Sequence, residues 1–136
     1  MANGTIAFDT LQTSGQIDGT ARSIDTDYLL NGSAKAWVNF TGVTTTASRD
    51  SFNISGLTDE ATARTTVSYT NNMGNTNYTG SYFQSGSTAQ AADSFNNNYT
   101  GAFSARTAGN CSVMSHSGSS AADVADNDLL IFGELA

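Results

Sequence analysis

The stretch that decides the fold runs from Ala34 to Asp59 and reads AKAWVNFTGVTTTASRDSFNISGLTD. Both AKAWVNF and SFNIS alternate between two kinds of side chain with a period of two, which strands produce and helices do not. Alternation divides the first strand into two faces, with Ala34, Ala36, Val38 and Phe40 on one and Lys35, Trp37 and Asn39 on the other. Each face carries an aromatic ring, so we expect neither to be plain solvent-facing surface.

Turn signals divide the chain after this strand into further short elements. We predict a loop over residues 41–50, then a strand on which Phe52 and Ile54 face inward. A turn is predicted over residues 56–63, because the segment GLTDEATA lacks apolar alternation. Residues 64–70 show the clearest alternation in the chain, and they predict a strand with its apolar side chains on one face.

The rest of the chain continues this pattern of short strands and turns. The Asn-Gly pair at 31–32 favours a type I′ turn and predicts a hairpin before the first strand. Further strands are predicted at residues 78–84, around Cys111, and at residues 129–132. Turn signals at such short intervals predict an all-β fold, an antiparallel β-sandwich or a jelly-roll-like domain.

The composition is that of one folded β domain. The chain has 136 residues, with one Trp, seven Phe and five Tyr, and charged residues make up only 12%. Disordered chains combine high net charge with few aromatics, so this composition predicts a packed core instead. We expect residues 31–136 to form the β domain and residues 1–30 to be an N-terminal arm or first strands, able to dock on another protein.

The charge balance excludes several classes of partner. The net charge is −7, with a single Lys and four Arg, so no basic patch is available for nucleic acid or for an anionic membrane surface. No apolar run reaches the length of a membrane span, and the N-terminus does not resemble a secretory signal. We therefore expect no membrane insertion and synthesis in a cytoplasm. Since lysines usually protect exposed edge strands, their scarcity predicts edges that are paired between copies.

Residue types that carry catalysis are few and scattered. His116 follows Cys111 by five residues, but a buried thiol and an exposed loop histidine are favoured over a Cys–His site. Asp123, Asp126 and Asp128 lack the spacing and glycine of a calcium loop. We predict no enzyme activity, no catalytic residues, no metal site and no cofactor. A glycan hydrolase stays an alternative, because its paired carboxylates come from distant strands.

Aromatic residues among polar neighbours are the candidate binding residues. Tyr and Trp beside Asn and Ser are typical of wet recognition surfaces, and sugar rings can stack on them. A sandwich core needs large apolar side chains too, so both core and surface positions stay open for each aromatic. The candidate subunit-contact or recognition surface consists of Lys35, Trp37, Asn39, Tyr78, Tyr82 and Tyr99.

Several strings in the chain resemble one known family. They are GTARSIDTDYLLNGSAKAWVNF from Gly19, RDSFNISGLTD from Arg49 and TTVSYTNNMGNTNY from Thr65. This combination is similar to a module of tail-fibre and other virion proteins of tailed bacteriophages, notably those of marine bacteria. The likeness covers residues 19–78 and, more weakly, the apolar ending LLIFGE. It departs from the pattern at Met73-Gly74, where similar sequences often have Met-Pro, and it carries no catalytic residues.

The resemblance implies a virion surface protein made in the host cytoplasm. Its expected role is tail-fibre or knob-type attachment or receptor recognition, with a host-surface glycan or protein as receptor. Its expected partners are other virion proteins of the tail or capsid and further copies of itself, with a homotrimer as the expected assembly. The alternatives are a capsid decoration (cement) protein and, in another class, a carbohydrate-binding module.

Overall fold

The computed structural model describes residues 10–12, 23–85, 102–117 and 120–136. These residues form an all-β structure with one short helix, which confirms the predicted fold class. The chain forms two compact units, residues 1–33 and residues 34–136. The elements in chain order are β1 (Thr10–Gln12), β2 (Ser23–Asp25), α1 (Thr26–Gly32), β3 (Ala36–Thr41), β4 (Ala47–Phe52), β5 (Ile54–Ala61), β6 (Arg64–Tyr69), β7 (Thr79–Ser85), β8 (Ala102–Ser104), β9 (Asn110–Met114), β10 (His116–Ser117), β11 (Ser120–Ala121) and β12 (Asp126–Phe132).

The larger unit is an antiparallel β-sandwich of two four-stranded sheets. Sheet 1 has the strand order β4-β3-β12-β7, and sheet 2 has the order β5-β6-β9-β8. A separate two-stranded ladder joins β10 to β11. The last strand, β12, lies in the middle of sheet 1, between β3 and β7. The apolar end of the chain was predicted as a strand, and the structure gives it this central position.

The core lies between the inner faces of the two sheets. Burial alternates residue by residue along β3, β6 and β12, as expected for strands that are covered on one side. The buried apolar side chains are Ala36, Val38, Phe40, Leu129 and Ile131 from sheet 1 and Val67, Tyr69, Cys111 and Val113 from sheet 2. These positions confirm the two predicted faces of β3 and the predicted inner face of residues 64–70.

The smaller unit contains a short hairpin and the helix. β1 and β2 pair through three residue pairs, with Leu11 directly opposite Ile24. The helix α1 follows at once, because the Asp25 carboxylate accepts a hydrogen bond from the Asp27 backbone N–H at 2.9 Å and caps the first turn. The predicted tight turn at residues 31–32 is therefore wrong: Asn and Gly also suit helix ends, and here they close α1.

Two segments that were predicted as connections are strands. Part of the expected loop at 41–50 belongs to β4, and most of the expected turn at 56–63 belongs to β5, so that the turn shrinks to residues 62–63. Both strands lie at sheet edges, where nearly all of their side chains are exposed. β4 has no buried face and therefore no reason to alternate apolar and polar residues. On β5, Ile54 and Leu57 pack against the core, but two register shifts interrupt the alternation, so both segments resembled connections.

Phe52 was predicted to face inward with Ile54, and only Ile54 does so. Phe52 pairs directly with Trp37, whose side chain points away from the core, and residues directly opposite each other share a face. The alternation does not continue from Phe52 to Ile54 because Asn53 interrupts the strand with a φ of 58°. Phe52 is accordingly 53% exposed, whereas Ile54 packs against the core.

Candidate binding surface on the outer face of sheet 1

The outer face of sheet 1 presents two rows of side chains that run across its strands. Strand register fixes the rows, because residues directly opposite each other in adjacent strands lie about 5 Å apart on the same face. The first, which we call the apolar row, consists of Phe52, Trp37 and Leu130. The second, which we call the polar row, consists of Asp50, Asn39 and Asp128.

The apolar row is the centre of an exposed apolar surface. Phe52 on β4 is 53% exposed, while Trp37 and Leu130 on the inner strands are half-buried. Phe83 on β7 is 61% exposed and lies opposite Asp128, and the half-buried Phe132 ends β12 on the same face. One exposed phenyl ring needs no explanation, but a contiguous group of aromatic and aliphatic side chains is typical of a contact surface.

A hydrogen-bonded network orders the polar side chains beside the apolar row. The Asn39 Nδ2 donates to Asp128 Oδ1 at 2.7 Å, and Arg49 Nη1 donates to Asn39 Oδ1 at 3.3 Å. Arg49 also lies 2.8 Å from Asp126 Oδ1 and donates through Nη2 to the Ala125 carbonyl at 2.7 Å. Because the ion pair between Arg49 and Asp126 is almost half exposed, it adds little stability. It fixes the position of the Arg49 guanidinium, which in turn holds the Asn39 amide in one orientation.

Arg49 can reach these partners because it is the extra residue of a β-bulge. The register between β3 and β4 shifts between Asn39 and Phe40, whose partners are Asp50 and Ser48. Arg49 is left between them without a partner in the ladder, and such a bulge redirects the side chain of the extra residue. The bulge thus places the Arg49 guanidinium on a face that also carries Asp50, Asp126 and Asp128, and these four side chains have a net charge of −2.

The string RDSFNIS spans the edge at which the chain leaves sheet 1 for sheet 2. Arg49 and Phe52 contribute to the outer face, Asn53 forms the corner, and Ile54 enters the core. The Asn53 side-chain amide donates to the backbone oxygens of Lys35 at 3.0 Å and Asn71 at 3.1 Å. The string that carries the family resemblance therefore contributes to both the sandwich edge and its exposed face.

Two of the six predicted surface residues lie on the outer face, namely Trp37 and Asn39. Lys35 precedes β3 and is only 7% exposed, so it presents little surface. Tyr82 faces inward and is half-buried, and its hydroxyl donates to the buried Asn127 amide oxygen. Burial raises the pKa of Tyr82. Tyr99 lies outside the described residues.

Tyr78 does not belong to a recognition surface, because it is 3% exposed and lies in the core. Its hydroxyl hydrogen-bonds the backbone oxygens of Asn110 at 2.8 Å and Thr107 at 3.0 Å. Its ring packs edge-on against Tyr69 and Phe103, with centroid distances of 5.9 and 6.0 Å. The Asn and Thr residues beside Tyr78 in the sequence indicated an exposed tyrosine, but the fold buries its hydroxyl against backbone oxygens that lie 29 and 32 positions further along the chain.

Four of the six residues in the two rows were not predicted from the sequence as surface residues. Phe52 was assigned to the core, and Leu130 lies in the run LLIF, where four apolar residues hide the alternation. Asp128 was weighed only with Asp123 and Asp126 as a calcium loop and Asp50 was placed in a loop, although strand register puts Asp50 and Asp128 on either side of Asn39. The pairing of β3 with β4 and β12 was the missing information, and no spacing in the chain encodes it.

The single cysteine is a core residue with a protonated thiol. Cys111 is fully buried, and burial raises its pKa to about 11. A thiol that stays protonated at neutral pH is a poor nucleophile. Burial also raises the pKa of Tyr69, and the neighbouring Cys111 adds a smaller effect in the same direction. The Tyr69 hydroxyl has no hydrogen-bond partner among the described residues.

Neither the described residues nor known proteins point to a further site on this chain. In residues 10–12, 23–85, 102–117 and 120–136, no three His, Cys, Asp or Glu side chains come together as a metal site would require. The one helix in this part of the chain is too short to span a membrane. Comparisons with protein-family models, curated proteins and solved structures found no match for this chain.

Proposed function

We propose that this protein is a structural protein on the surface of a tailed bacteriophage particle. Its role is tail-fibre or knob-type attachment, in which the N-terminal unit docks on another virion protein and the sandwich meets the receptor. The resemblance of residues 19–78 to virion modules supports the location. The observation that carries the docking role is the exposure of the apolar side chains in the N-terminal unit.

The described part of the N-terminal unit contains no buried side chain. Its large apolar residues are 40–76% exposed, and they are Leu11, Ile24, Tyr28, Leu29 and Leu30. A hairpin of three residue pairs and a helix of seven residues are both below the size that is stable alone in water. These features support a segment that reaches its stable state on the surface of a partner.

An edge strand of the sandwich supports assembly with further copies. Among the described residues, β7 pairs on one side only, with β12, through seven uninterrupted residue pairs. Its sequence, TGSYFQS, contains no charge and no proline, which are the usual devices that protect an edge. We propose a homotrimer in which such edges are covered by neighbouring copies.

The location is tested on purified phage particles whose genome encodes this chain. Quantitative mass spectrometry gives the copy number, and cryo-electron microscopy gives the position. A few tens of copies at the tail are expected. Hundreds of copies would show a capsid decoration protein instead, and absence of the chain from the particle would contradict the whole proposal.

The docking role is tested by one substitution in each unit. Leu29→Asp places a charge among the exposed apolar side chains of the N-terminal unit, and Thr58→Asp places one on the exposed surface of β5 as a control. We expect Leu29→Asp to reduce incorporation into particles without unfolding the sandwich, and Thr58→Asp to incorporate normally. Equal incorporation of both variants would refute a docking role for this part of the unit.

A further inference from the structure

We infer that the outer face of sheet 1 binds a neutral glycan, with a pyranose ring on the apolar row and its hydroxyl groups on the polar row. This inference rests on the proposed role in receptor recognition, and it names the class of receptor. It also decides between the two roles that the sequence left open for Trp37 and Asn39, which were a subunit contact and a recognition surface.

The size of the face favours a small ligand over a second copy. Four strands about 4.8 Å apart and seven residues of β12 at about 3.3 Å each give a face of roughly 440 Å². A stable protein–protein interface covers about 800 Å² on each partner. A dimer through this face would need contacts beyond it, whereas the face is ample for an oligosaccharide of two or three rings.

The charge of the face also favours a small ligand over a second copy. Three carboxylates and one guanidinium leave a net charge of −2, so two copies stacked through this face would bring like charges together. The whole chain carries −7, which also disfavours sulfated or uronic-acid glycans, phospholipid headgroups and nucleic acid. A neutral glycan meets no such repulsion, and its hydroxyl groups can donate charge-assisted hydrogen bonds to Asp50 and Asp128.

The arrangement of the rows matches the two kinds of surface on a sugar. A pyranose ring has an apolar face of C–H groups and a rim of hydroxyls. Phe52 and Trp37 lie directly opposite each other and form an aromatic surface, and the polar row runs parallel to it two residues along the strands, about 6.7 Å away. A ring stacked on the aromatics therefore brings one side of its hydroxyl rim to Asn39.

The polar row is ordered before a ligand arrives. Arg49 and Asp128 hold both ends of the Asn39 amide, so the amide does not have to be immobilised on binding. An asparagine amide has two N–H donors and a carboxylate accepts several hydrogen bonds, so the Asn39–Asp128 bond uses only part of their capacity. Both groups can bind hydroxyls while that bond is kept.

The test uses the full chain and a glycan microarray. The array carries neutral hexose and N-acetylhexosamine oligosaccharides beside their uronic-acid and sulfated counterparts, and calorimetric titration follows with the best neutral probe. We expect binding to neutral probes only. Phe52→Ala should weaken binding about tenfold, and Phe52→Trp, which keeps a stacking ring, should preserve it. Asp50→Ala should also weaken binding, whereas Thr58→Ala on sheet 2 should not.

Four results would overturn the inference. They are failure of the wild-type chain to bind any neutral probe, preference for sulfated or uronic-acid probes, unchanged affinity of both Phe52→Ala and Asp50→Ala, and conversion of an oligomer to a monomer by Phe52→Ala in analytical ultracentrifugation. The last would make this face a subunit contact. Circular dichroism confirms that each variant is folded, and the copy number in particles tests the proposed virion role independently of all four.

Discussion

Replacing Asn53 tests the corner through which the chain passes from sheet 1 to sheet 2. Asn53 alone separates β4 from β5, and its φ of 58° lies in the left-handed region that side chains with a Cβ rarely adopt. Its Nδ2 donates to the Lys35 and Asn71 oxygens, and its Oδ1 accepts from the Asn71 backbone N–H at 2.7 Å. One side chain thus ties the corner to two other segments.

Two substitutions separate the contribution of the Asn53 hydrogen bonds from that of its left-handed backbone conformation. Asn53→Gly keeps the backbone conformation and removes three hydrogen bonds with backbone groups, each worth about 0.5–1.5 kcal/mol, so the free energy of unfolding should fall by roughly 2–4 kcal/mol. Asn53→Ala removes the same bonds and forces a residue with a Cβ into the left-handed region, which costs about 1 kcal/mol more. We therefore expect stability to decrease in the order wild type, Asn53→Gly, Asn53→Ala.

Urea unfolding at neutral pH measures the stability of the wild type and of both Asn53 variants, with the fluorescence of the sole Trp and circular dichroism as probes. A fall in the midpoint at an unchanged slope would report a loss of native stability. Thr58→Ala, at an exposed position on β5, is the control and should stay within about 0.5 kcal/mol of wild type. The argument fails if both Asn53 variants match the wild type, or if the glycine variant is no more stable than the alanine variant.

Three further predictions concern the core. Phe40→Ala should lower the free energy of unfolding by about 3–5 kcal/mol in urea unfolding, because Phe40 is fully buried, while Phe83→Ala at a 61% exposed ring should cost less than about 1 kcal/mol. Tyr69→Phe should raise the thermal midpoint, because it removes a buried hydroxyl that has no hydrogen-bond partner in the described residues; a lower midpoint would contradict this. Between pH 9 and 11 the free energy of unfolding should fall by about 2 kcal/mol through Cys111, whose pKa rises from 9.0 to about 11 on folding. The folded state holds this proton more tightly, so the contribution is complete below pH 9 and is lost as the pH rises to 11; urea titrations across this range should show a smaller loss for Cys111→Ala.

Sequence patterns predicted the strands that are buried on one side. In β3 and β6 every second side chain enters the core, so AKAWVNF and the residues from Arg64 onward alternate clearly. The pattern works because a half-buried strand must place apolar residues on one face. The β-sandwich itself could be predicted from the number of such segments and the turn signals between them.

The edge strands and the outer face could not be predicted in the same way. β4 has no buried side chain and β5 places only Ile54 and Leu57 against the core, and the backbone hydrogen bonds of both strands are formed with neighbours far away in the sequence or across a turn. The side of the sheet that Phe52 occupies depends on its pairing with Trp37 and on the corner at Asn53. A left-handed residue and a bulge each change the alternation, and neither has an unambiguous sequence signal.

The residues of the string RDSFNIS have two kinds of role: some build the fold, and others belong to the exposed face. A resemblance in this string therefore bears on the fold and on the ligand to different degrees. Asn53 and Ile54 serve the sandwich, since one forms the corner and the other packs against the core. Arg49 orders the outer face through its hydrogen bonds, and only Phe52 of this group offers a large exposed apolar surface. A chain can therefore share the string because it shares the sandwich edge, while its ligand depends on residues from other strands, such as Trp37. Substitutions of outward-facing residues on β3 and β12, such as Trp37 and Asp128, should consequently change binding specificity without changing the fold, and substitutions at the corner should do the reverse.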